Sequence, residues 1–139
     1  MANEALVQRV KAIVALARGG DADGAYQGYK ELFASPEFGA FAPEDQRQAL
    51  RLMILAKKGA PKTPTPAVLD AHRAALAPLT ALVSRHGEPA DHELLGMAHQ
   101  LLGNDESAAS IFRAGLAIER ERNPQSDLCG SLMKRVSLI

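Results

Sequence analysis

The chain has 139 residues, 47% of them hydrophobic but only 4% aromatic, with no tryptophan; that length suits one core and is short for two ordinary domains, and so few aromatic residues argue against a sheet-based core. Sixteen basic residues balance sixteen acidic ones, so no whole-chain field attracts a polyanion such as nucleic acid. The single cysteine, Cys129, excludes an internal disulfide framework and a cysteine-rich metal site, and fits a reducing compartment.

At the amino terminus Glu4, Arg9 and Lys11 interrupt the apolar pattern. The segment therefore lacks both the apolar core of a signal peptide and the length of a membrane span, and a soluble cytoplasmic protein without a membrane partner is expected. The first helix is predicted over 3–18, where Leu6, Val10, Ile13 and Ala17 recur at helical spacing and Val7 and Val14 add a second stripe. A helix apolar on two sides needs two covers, here a neighbouring hairpin on one side and a hairpin, ligand or second subunit on the other. Gly19-Gly20 stops this helix and Asp21 caps the next, predicted over 22–35 with Ala25, Tyr29, Leu32 and Phe33 on one face. The two helices are expected to pack antiparallel.

The loop over 36–43 carries Phe38 and Phe41, expected to plug the gap between helix pairs rather than to form an exposed binding tip, because each ring gains a few kcal/mol on burial. Pro43, followed by Glu44 and Asp45, opens a third helix predicted to reach Lys58. Its run from Ala49 to Ala56 is apolar nearly all round, which suits an element covered on every side, and Lys57 and Lys58 complement its carboxyl end. Three prolines among residues 61–66 make an extended connector, with a partner-read segment as the alternative. The fourth helix, predicted over 66–86, places Leu69, His72, Leu76, Leu79 and Val83 on one stripe, so His72 reads as a hydrogen-bonded core residue, and Pro78 predicts a kink or break near 74–77.

A last hairpin is predicted over 90–122, ended by Asn123-Pro124, and a capping helix over 126–137 carries Leu128, Cys129, Leu132, Met133 and Val136 on its covered side. Cys129 on that face reads as an inert buried thiol. The fold class is therefore all-α: about three antiparallel hairpins, over 3–35, 43–86 and 90–122, plus a capping helix in a single domain.

Within the last hairpin, Leu95-Gly96, Ala108-x-x-x-Phe112 and Gly115 ahead of Leu116 resemble the tetratricopeptide (TPR) repeat in their spacing. Gly96 and Ala108 are expected to let the two helices approach closely, with Leu95 and Phe112 filling the space beside them. His92 and His99 stand where the family has paired aromatics, and Arg120 stands where it has a closing proline. The first hairpin matches at Ala25-x-x-x-Tyr29, with Pro36 one residue early, and the middle unit matches only as a helix pair. The interval from Ala25 to Ala108 exceeds two periods of ~34 residues by about what the proline-rich loops absorb. The resemblance implies a right-handed array.

No catalytic motif competes with this reading. His92-Glu93 begins like a zinc-protease helix, but Gly96 occupies the place of the second histidine, and His99 lies ~10 Å further along a helix. No phosphate loop, Ser-His-Asp arrangement or carboxylate pair stands out, so neither enzyme activity nor a cofactor or metal is expected.

What the resemblance implies instead is a concave surface lined by the first helix of each unit, which holds a segment of a partner protein. On this chain that lining consists of Val7, Val10, Val14 and Arg18, then Arg47, Leu50, Ile54 and Lys57, then Glu93, Met97 and Gln100. Aliphatic at its centre and basic at its edges, it suits an apolar or amphipathic peptide, as in an adaptor or chaperone-like module. Two alternatives stay open: a homo-oligomer that buries Val7 and Val14 between copies, and a small enzyme or metal protein built on His92, His99 or His72.

Overall fold

The computed structural model describes residues 3–56 and 63–139, and among them the chain forms seven α-helices, one 3-10 turn and no strand. The helices are α1 (Glu4–Arg18), α2 (Ala22–Ala34), α3 (Pro43–Ile54), α4 (Pro66–His86), α5 (Pro89–Leu101), α6 (Asp105–Arg122) and α7 (Asp127–Ser137), with the 3-10 turn at Phe38–Ala40. Their starts follow from local chemistry. Asn3, Asp21 and Ser126 each accept a hydrogen bond from the free backbone N–H three residues on, at 3.2, 2.9 and 3.0 Å. Pro43 and Pro89 occupy first-turn positions where no N–H is needed. In the tight turns after α1 and α5, Gly20 and Gly103 take φ of 89° and 84°, a left-handed conformation that strains other residues.

By packing, the chain divides into two compact units, 1–78 and 79–139, with the boundary inside α4 immediately after Pro78. Of the kink or break expected near 74–77, a break does not occur: α4 continues through Pro78, whose nitrogen cannot donate the usual helix hydrogen bond. No helix among the described residues is long and apolar enough to cross a membrane.

In the first unit α1 and α2 pack as the expected hairpin, so closely that a Cβ on Gly28 would lie 2.7 Å from Ile13 Cγ1. Ala25, Tyr29, Leu32 and Phe33 are buried as predicted, joined by Tyr26. From Tyr29 the rings form a continuous run, stacked on Phe33 at 5.7 Å, then edge-on from Phe33 to Phe38 at 5.2 Å and from Phe38 to Phe41 at 6.1 Å. Phe38 is thus buried rather than an exposed tip, and Phe41 is half-buried. Buried Gln46 fastens this loop to α3, its Nε2 donating to the carbonyls of Phe41 (2.8 Å) and Gly39 (3.3 Å). Thr65 Oγ1 donates to Asp23 and Lys30 pairs with Asp70, which holds the start of α4 beside α2.

In the second unit α5 and α6 form the close hairpin expected around Gly96: a Cβ there would overlap the Phe112 ring, and one on Gly115 would lie 2.7 Å from His92 Cβ. Phe112, Ala108 and Leu116 form one cluster with Cys129 and Leu132 of α7, so the terminal helix packs its apolar side on this hairpin. Glu93 on α5 accepts hydrogen bonds from Ser131 Oγ and from Arg135 Nε, the latter at 2.8 Å, and Arg122 reaches back to Glu88 at 2.9 Å.

Several predicted stripes turn by a residue or two. On α1 only Leu6 and Ile13 are buried, while Val10 is half-buried and Ala17 exposed. On α4 the buried positions are Val68, Ala71, His72, Ala75, Leu79 and Leu82, with Leu69, Leu76 and Val83 half-buried. Small Ala71 and Ala75 share this buried side with Leu79 and Leu82. On α7 Met133 points outward. The third helix ends at Ile54 rather than Lys58, since Leu55 and Ala56 close it with N–H bonds to Arg51 and Met53. Lys57, Lys58 and most of the proline-rich connector lie outside the described residues.

Candidate functional site

The apolar run of α3 is covered on one side only. Ala49, Leu50, Met53 and Ile54 face the interior, held there by the Gln46 bonds and the aromatic run, whereas Leu52 and Leu55 remain 48% and 43% exposed. The spacing of Asp45, Gln48, Leu52 and Leu55 places them along one side of the helix. An open depression of about 560 Å³ lies over this side, lined by Gln48, Arg51, Leu52, Leu55 and Ala56. Gln48 and Leu52 also line a second depression of about 140 Å³, whose other wall is Leu6, Val7, Val10 and Lys11 of α1. The result is an aliphatic strip across α1 and α3, with Lys11 and Asp45 on opposite walls. Among the described residues, neither of these two has an ion-pair partner.

The predicted lining falls on this surface only in part. Val10, with Val7, lies on it, and half-buried Val14 follows at helical spacing on α1. Arg18 is exposed at the end of that helix. Leu50 and Ile54, assigned to the surface from sequence, are buried core residues, and their places are taken by Leu52 and Leu55. Arg47 is no open basic edge: its guanidinium pairs with Glu44 at 2.6 Å. Lys57 lies outside the described residues. The periodicity of an all-apolar run cannot say which side lacks a neighbour, so Leu52 and Leu55 carry no sequence signal that separates them from Leu50 and Ile54.

In the second unit Glu93 is bonded to Ser131 and Arg135 of α7, Met97 packs against the Phe112 cluster, and Gln100 is exposed. The resemblance assigned all three side chains to partner binding; of these, Glu93 is already bonded to α7. A polar depression of about 370 Å³ lined by His99, Glu106, Ser107, Ser110 and Ile111 lies elsewhere on α5 and α6.

The histidines are held as single residues. His92 Nδ1 donates to the Glu88 carbonyl and His72 Nδ1 to the Val68 carbonyl, both at 2.8 Å, which is hydrogen bonding within a helix turn. Asn104 donates to His99 Nδ1 at 3.3 Å. Burial lowers the pKa of His72, with its backbone bond opposing the shift, and burial also lowers that of His99. Among the described residues no group of three or more His, Cys, Asp or Glu side chains is placed to hold a metal ion.

No protein-family signature, curated protein or solved structure matches the chain.

Proposed function

We propose that the chain is a TPR-like, non-enzymatic protein-interaction module whose first unit docks an apolar or amphipathic protein segment on the α1/α3 face. The observation that carries this is the exposed Leu52 and Leu55 beside Val7 and Val10. Folded proteins rarely leave contiguous aliphatic side chains uncovered unless something docks there, and helix grooves commonly receive an apolar helix face. The TPR-like part of the reading is supported by the α5/α6 hairpin, where Gly96 lies under Phe112 and Gly115 under His92, and by the capping helix. On such a fold α1 and α3 are first arms, the helices that line the family's binding surface.

The test is isothermal titration with a partner recovered by affinity capture. Leu52→Glu and Val10→Glu are expected to weaken its binding at least about tenfold, a loss of about 1.4 kcal/mol. Gln100→Glu on α5 leaves it unchanged. Unaltered affinity in both α1/α3 variants, with helicity intact by circular dichroism, removes the assignment.

A further inference from the structure

We propose that the occupant of the α1/α3 face is a second copy of the chain, docked face to face about a two-fold axis that runs along the depression. This rests on the docking-surface reading above and names the partner.

The argument is one of charge and symmetry. Between α1 and α3 the strip is aliphatic at its centre, through Val7, Val10 and Leu52, with Lys11 on the α1 wall and Asp45 on the α3 wall, and Arg51 lines the wider depression over α3. Among the described residues, Lys11 and Asp45 have no ion-pair partner within the molecule. In a two-fold interface each patch meets its own copy, so residue i touches j while j touches i. With the axis along the depression, α1 of one copy lies over α3 of the other, and Lys11 meets Asp45 twice. With the axis across it, Lys11 would meet Lys11 and Asp45 would meet Asp45, an arrangement that like-charge repulsion disfavours. The pattern thus selects one dimer geometry and covers both aliphatic strips at once. The equal numbers of acidic and basic residues in the whole chain leave no net field to hold two copies apart.

Sedimentation velocity on the full chain, from about 1 µM to about 1 mM, decides the matter. The wild type is expected to pass from monomer to dimer in this range. Lys11→Glu and Asp45→Lys each place like charges opposite one another, and each should weaken the dimer about tenfold or more. The combined Lys11→Glu/Asp45→Lys variant restores the opposite pairing in reversed sense and should return the dimer to within about threefold of wild type. Because restoration requires a folded chain, the double variant controls for misfolding. A monomer at every concentration overturns the proposal, as does a dimer that the single reversals leave unchanged or the double variant fails to restore. The two readings fail differently. A monomer whose captured partner is lost with Leu52→Glu removes only the second copy as occupant, while a monomer whose partner ignores Leu52→Glu removes the docking surface as well.

Discussion

Gly96 and His72 are two residues whose neighbours dictate their chemistry. A side chain at Gly96 has no room, because its Cβ would enter the Phe112 ring, and Phe112 is itself fully buried against Ala108 and Leu132. Gly96→Ala is therefore expected to cost about 1–3 kcal/mol in urea unfolding, the range for overpacking a closed core; a variant as stable as wild type contradicts the close approach. His72 is buried, and its folded-state pKa lies below that of the unfolded chain. The unfolded state thus takes up a proton first, and stability falls as pH drops from about 6.5 toward the lower folded-state value. Half-buried His99 shifts in the same direction and adds to the slope. Thermal midpoints across this window should decline less steeply in His72→Asn, which cannot take the charge; an undiminished slope places the effect elsewhere.

At the scale of elements, α7 is fixed by two kinds of interaction. Leu132 and Cys129 enter the core cluster, while Arg135 pairs with Glu93 and lies over the Phe112 ring at 5.9 Å. Truncation by Leu132→Ala is expected to cost about 2–5 kcal/mol, as for other fully buried leucines, whereas Arg135→Ala removes a partly exposed pair and costs less. Denaturant midpoints for the two variants check this order, and the reverse order would make the ion pair the main fastening. Helix existence was legible from the chain alone, since capping residues such as Asp21 and Ser126, prolines at helix starts, and glycines at turns act locally. Orientation was less so. The inward side of α4 is set by the packing of Ala71 and Ala75 together with Leu79 and Leu82, and that of α3 by the hydrogen bonds of Gln46 to the preceding loop. Both are tertiary causes that periodicity does not encode. For the same reason Leu50 and Ile54 could not be told from Leu52 and Leu55, although Val7, read as part of a second apolar stripe on the first helix, does line the α1/α3 depression.

For the molecule as a whole, the first unit leaves aliphatic side chains uncovered along α1 and α3, while in the second unit Glu93 is bonded to α7 and Met97 packs against the Phe112 cluster. The proposed docking surface thus lies on the first unit, whereas α7 is fastened to the core of the second. Amide hydrogen exchange compared between the free and partner-bound chain tests this most directly, because it reports every helix in one experiment. Exchange over 7–14 and 48–55 is predicted to slow on binding while 99–111 stays as it is. Protection confined to 99–111, with 7–14 and 48–55 unaffected, would contradict the account.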